Sequence, residues 1–232
     1  MLVLVGCSSS APAKVPDAGT TDTNPAVDAA TADATPPLAL DCGTYCSAIA
    51  TACPAGANQQ YNPALMNCMQ TCAKFTAGTQ ADTSGDTLGC RNYHIQNITV
   101  RNMSPDTHCA HAGPGGAAVD ATTPVCGDPC ANFCKLEVAT CGTIAAPNAN
   151  VTVPNGACGS PADSNANCFY QDEADCVAKC ANFVKTPAYS AATTSGSTFA
   201  CRLYHITNAA VSNTAAGTHC QHTGPAPTQA CI

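Results

Sequence analysis

Cys42-Gly-Thr-Tyr-Cys46-Ser-Ala-Ile-Ala-Thr-Ala-Cys53, followed by Cys68-Met-Gln-Thr-Cys72-Ala-Lys-Phe75, is the stretch on which the fold turns. Cys42, Cys46, Ile49 and Cys53 step by four, three and four, which sets them on one helical face. A second helix is expected from Asn62-Pro63, an N-cap followed by proline in the first turn, with Leu65, Cys68, Cys72 and Phe75 along one stripe. Two helices that each carry C-x3-C, joined by a loop, predict an antiparallel hairpin bridged by Cys42–Cys72 and Cys46–Cys68.

The same stretch returns. Tyr45-Cys46 through Cys53 aligns with Phe133-Cys134 through Cys141, and Cys68 through Phe75 aligns with Cys176 through Phe183. Thr83-Ser-Gly-Asp-Thr-Leu-Gly-Cys90-Arg-Asn-Tyr-His94 aligns with Thr194-Ser-Gly-Ser-Thr-Phe-Ala-Cys201-Arg-Leu-Tyr-His205. Thr107-His-Cys-Ala-His-Ala-Gly-Pro114 aligns with Thr218-His-Cys-Gln-His-Thr-Gly-Pro225. The chain therefore reads as a tandem repeat, residues 41–126 and 127–232. An insertion between Cys141 and Cys176 brings its own pair, Cys158 and Cys168, expected to bridge each other. A third helix is expected near 86–98 and again near 197–209, with loop up to Gly113-Pro114 and its counterpart. The fold class expected is mainly α, small and disulfide-rich, with a helical hairpin plus a third helix in each copy. It resembles the disulfide-linked helical hairpins of small Cys-rich proteins, a pattern shared by unrelated families that implies no activity.

The remaining pairs follow as expectations, since eight cysteines allow 105 pairings. In the first copy these are Cys90–Cys109 and Cys53–Cys126. In the second they are Cys130–Cys180, Cys134–Cys176, Cys201–Cys220 and Cys141–Cys231.

Composition explains why so many bridges are needed. Leu, Ile, Val and Phe are 32 of 232 residues and there is no Trp, below the level at which an ordinary core forms readily. Nineteen cysteines stand in for the core; such density belongs to an oxidising compartment. There is no C-x2-C knuckle for a zinc–thiolate cluster, no C-x-x-C-H for covalent haem, and no hydrolase or phosphate-loop motif. The net charge of −7 argues against a nucleic-acid partner.

Leu4-Val5-Gly6-Cys7 resembles the lipobox of bacterial lipoproteins. The resemblance implies cleavage before Cys7, lipidation of Cys7, a membrane partner through that anchor, and residence in the bacterial cell envelope at the outer membrane or cell surface. The apolar run of residues 1–7 lacks the basic segment of a full signal peptide, so a start further upstream is expected. Lipidating Cys7 leaves eighteen cysteines for nine bridges. Residues 8–40, rich in Ala, Thr, Asp and Pro, read as a tether with a root-mean-square reach of roughly 30 Å.

All six histidines lie in the gapless block: His94, His108 and His111, then His205, His219 and His222. Three imidazoles are a ligand set for zinc or copper with a fourth position open. Tyr93 and Tyr204 are candidate further ligands or hydrogen-bond partners, and Asp106 a candidate orienting carboxylate. The competing reading is structural: histidines that satisfy backbone groups, and Arg91 and Arg202 that serve helix-end carbonyls, in a structural or adhesive surface module without a cofactor. C-R-x-Y-H followed by T-H-C-x-H-x-G-P resembles repeats of exported Cys-rich bacterial proteins, a family without an established activity. That resemblance covers the folded part of the chain and implies no reaction.

Overall fold

Asp41 opens the first helix: its side chain accepts from the backbone N–H of Thr44, and α1 runs Cys42–Ala52. This is a computed structural model; it describes residues 36–63, 66–117, 123–146, 148, 169–227 and 229–232. The lipobox and Cys7, most of the tether, Leu65 and the Cys158–Cys168 pair lie outside the described residues. Among the described residues there are eight α-helices and no strands beyond isolated bridges at Thr76–Thr87 and Val184–Thr198. No described helix is long and apolar enough to cross a membrane.

After α1 come α2 (Asn67–Cys72), α3 (Leu88–Thr99) and α4 (Pro105–Ala112). The order then recurs as α5 (Pro129–Thr140), α6 (Glu173–Cys180), α7 (Phe199–Ala209) and α8 (Asn213–His219). Thr87 and Thr198 cap α3 and α7 alike, their side chains accepting from the N–H of Cys90 and Cys201. The second helix is shorter in the first half than Asn62-Pro63 suggests. It begins only at Asn67, after Met66 in the left-handed region at φ 49°.

Two elements differ from expectation. The stretch after the third helix contains a further helix, α4 in the first half and α8 in the second, packed back along α3 and α7. The signals were local: Ser104 before Pro105 and Asp106 is an N-cap, a first-turn proline and a first-turn acid, and the Ser212 side chain accepts from Ala215 N–H. The folded part also starts earlier than residue 41. Asn92 Nδ2 donates to the Ala39 carbonyl at 3.0 Å and Gln96 Nε2 to that of Pro36 at 3.1 Å, while Leu38 and Leu40 pack on the first core.

The hairpins are bridged Cys42–Cys72, Cys46–Cys68, Cys130–Cys180 and Cys134–Cys176. The other pairs correct the expectation. Cys53 joins Cys109 and Cys90 joins Cys126; Cys141 joins Cys220 and Cys201 joins Cys231. The extra helix is the reason. On α4, His108 and His111 share a face, and Cys109 projects well away from it. A helix that turns its histidines toward α3 therefore turns Cys109 toward the end of α1, where Cys53 waits. Cys90 is left to the closing Cys126, which the backbone bonds Cys126 N–H to Gly116 and Gly85 N–H to Val125 bring to the start of α3.

Each half has its own apolar cluster, one around Tyr45, Ile49, Leu88 and Ile95, the other around Phe133, Tyr170, Phe199 and Leu203. They belong to one compact unit, Thr35–Ile232. Buried Asn67 donates to Asn208 at 2.8 Å, Ala191 N–H to the Gln59 carbonyl at 2.7 Å, and Lys135 pairs with Asp86.

Candidate metal centre

The site in the first half is built by two antiparallel helices. α3 presents His94, one turn beyond the bridged Cys90; α4 presents His108 and His111, three residues apart on one face. One ring nitrogen from each lies within 4.8 Å of the others. His94 Nδ1 is 2.8 Å from His108 Nδ1 and 3.4 Å from His111 Nδ1. His94 and His108 are buried and His111 is partly exposed, so the cluster opens to solvent on one side.

The second half repeats the histidine pair of this geometry, but not a set of three imidazole nitrogens within 4.8 Å of one another. His205 Nδ1 is 2.8 Å from His219 Nδ1, and the His205 and His222 ring centroids are 4.6 Å apart. It differs in the third histidine. α8 tightens into a 3-10 turn at Cys220–His222, so His222 is carried on a different helical pitch from His111.

His205 Nε2 faces the Thr194 carbonyl at 3.3 Å. A carbonyl only accepts, so Nε2 carries the hydrogen and Nδ1 keeps its lone pair directed into the cluster. That arrangement is the usual support for a metal-ligating imidazole. His94 Nε2, by contrast, has no hydrogen-bond partner among the described residues. Burial, then the neighbouring imidazoles, hold His94 and His205 down to about 4, and burial lowers His108, His111 and His219. These five histidines are therefore held as neutral imidazole at neutral pH, the form that binds metals.

Metal–nitrogen bonds of about 2.0–2.1 Å at tetrahedral or trigonal angles separate the nitrogens by about 3.3–3.6 Å. The His94–His111 separation already fits. The His94–His108 pair sits at hydrogen-bond distance and would open by roughly half an ångström.

Other candidates have different partners. Tyr93 and Tyr204 stand edge-on to His94 and His205, with centroids 5.2 and 5.1 Å apart. Asp106 accepts from Asn58 Nδ2 at 2.8 Å, which ties α4 to the 54–60 loop rather than orienting a histidine. Cys90–Cys126 and Cys201–Cys231 flank His94 and His205 but are disulfides, not thiolates.

The buried arginines fix the end of each histidine block. Arg91 donates to the carbonyls of Gly113 and Thr87 and to Asp86, and lies 3.9 Å over the Phe75 ring. Arg202 donates to Gly224 and Thr198 and lies over Phe183, with Ser197 where the first half has Asp86. What the sequence reading missed is Glu137. This fully buried carboxyl on α5 has its Oε1 2.9 Å from the Thr223 hydroxyl, next to His222. Its only sequence signal was an acid at the position that aligns with Ile49.

Residues 21–128 match the family model described as the BfoA family C-terminal domain. No curated protein and no solved structure matches the chain.

Proposed function

We propose that the protein binds one divalent transition-metal ion, zinc or copper, per repeat through its three imidazoles, and does so as an exported lipid-anchored protein of the bacterial envelope. The observation that carries the metal reading is the convergence of His94, His108 and His111, each with a ring nitrogen within 4.8 Å of the others. Export is supported by the eight described bridges, which require an oxidising compartment, and the anchor by Leu4-Val5-Gly6-Cys7.

A second reading has its own observation. The 2.8 Å Nδ1–Nδ1 contact, present in both halves, satisfies one histidine with another and needs no ion. On this reading the triads are internal fasteners of a surface module.

Elemental analysis of protein exported to an oxidising compartment and purified without an affinity tag separates the two. About two equivalents of zinc or copper per chain, lost in His94→Ala/His205→Ala, supports the metal reading. No metal above background, and no uptake on titration, leaves the structural one.

A further inference from the structure

Two positions change together between the halves. Where the first has Ile49 on α1 and Ala112 at the end of its histidine block, the second has Glu137 on α5 and Thr223. An apolar pair is replaced by a carboxyl and a hydroxyl, all within the core: Glu137 and Thr223 are both 0% exposed.

Burial and the lack of a partner at one oxygen favour the neutral form of that carboxyl. The Thr223 hydroxyl oxygen is 2.7 Å from the Cys220 carbonyl and 2.9 Å from Glu137 Oε1. A hydroxyl has one proton and a carbonyl can only accept. With that proton on Cys220, the contact to Glu137 is a full hydrogen bond only when Glu137 supplies a proton of its own. Glu137 Oε2 has no partner among the described residues, which a neutral carboxyl tolerates far better than a carboxylate. Among the described residues no salt bridge reaches it either.

The groups on neighbouring elements are committed elsewhere. The Tyr170 hydroxyl donates to the Thr223 carbonyl at 2.9 Å. Asp175 and Lys179 of α6 pair with each other, and Asp172 and Glu173 at its start are exposed. Arg202 of α7 donates to Gly224 and Thr198, and His205 faces His219 and His222. Lys135 of α5 itself pairs with Asp86.

We propose that Glu137 is a neutral hydrogen-bond donor that latches the Cys220–Gly224 segment onto α5, and that its ionisation on the alkaline side releases this segment in the second half alone. Burial independently raises the Glu137 pKa to about 8, so the release falls just above neutrality. Both halves hold this segment through a tyrosine, Tyr45 donating to the Ala112 carbonyl at 2.7 Å and Tyr170 to that of Thr223 at 2.9 Å, but the first half, with Ile49 and Ala112, has no titrating latch beside it. The latch stands whether or not the histidines hold an ion, although His222 lies on the released segment.

Infrared difference spectra and hydrogen exchange on the full oxidised chain, stripped of metal by a chelator, test it together. Wild type minus Glu137→Gln is expected to show a protonated-carboxyl carbonyl band at neutral pH, lost with a midpoint near pH 8. Over that interval protection factors at 220–224, corrected for intrinsic exchange, are expected to fall at least several-fold. Those at 109–113 should hold, as should 220–224 in Glu137→Ile/Thr223→Ala, which installs the first-half pair. Absence of the acid band at neutral pH overturns the proposal. So does a band that titrates without change in protection at 220–224, or an equal fall in the double variant.

Discussion

His94 Nδ1 and His108 Nδ1 face each other at 2.8 Å across the α3–α4 pair, and His205 and His219 do the same across α7–α8. Two bare nitrogens at that distance repel, so in the ion-free protein one of each pair donates to the other. An ion that binds the Nδ1 atoms must displace that hydrogen, and its affinity is reduced by the bond it breaks. Zinc at 100 times its dissociation constant should still stabilise the fold by about 2.7 kcal/mol. Thermal unfolding with and without zinc checks this: wild type shifts upward, His94→Ala/His205→Ala does not.

Acid should loosen the ion-free protein. His94 and His205 have folded pKa values near 4, below the ordinary 6.5, so between these values the unfolded chain binds more protons. Their contribution is present above pH 6.5 and lost as pH falls through about 4. Urea midpoints measured across this window should drop in wild type and drop less in His94→Gln/His205→Gln.

Glu137 works in the opposite direction. Its folded pKa is raised from 4.5 to about 8, so the folded chain holds the extra proton and stability declines as pH rises between those values. Glu137→Gln keeps the shape and cannot ionise. It should flatten this limb and, at pH 8–9, equal or exceed wild type by a few kcal/mol at most. Chemical denaturation at pH 5 and pH 9 provides the comparison.

The bridge Cys53–Cys109 closes a separation of 56 residues and pins α4 to the end of α1. Loop entropy alone assigns it about 4 kcal/mol. Cys53→Ala/Cys109→Ala should lower stability by that order and, because α4 carries His108 and His111, abolish metal uptake in the first half. Cys46→Ala/Cys68→Ala should cost a similar amount and leave uptake intact, since that pair lies on the hairpin away from α4.

Arg91 is fully buried, stacked on Phe75 and hydrogen-bonded to two carbonyls and Asp86. Lysine cannot reproduce the planar fork or the stacking. Arg91→Lys should cost on the order of 2–4 kcal/mol in thermal or chemical unfolding, well beyond the effect of Lys185→Ala at the surface.

The helical hairpins and their bridge partners follow from the C-x3-C spacing alone, because one turn of helix separates the cysteines. The histidine set was equally visible, since identical spacing recurs in both copies. The pairing of Cys90 and Cys109 was not, because it rests on which way α4 faces. Once Ser104-Pro105-Asp106 is read as a helix start, Cys109 is turned away from His108 and His111, and Cys53 becomes its partner. Glu137 was legible only as an exception to the repeat; its burial depends on Tyr170 and Thr223, distant in sequence and joined through tertiary packing.

Anomalous diffraction at the zinc edge, from crystals of the oxidised protein grown with zinc, tests the central claim most directly. The account predicts a peak about 2.0–2.1 Å from the Nδ1 atoms of His94, His108 and His111, with the His94–His108 pair opened beyond hydrogen-bond distance. No peak there, and the pair still at 2.8 Å, would contradict it and make the triads fasteners of the fold.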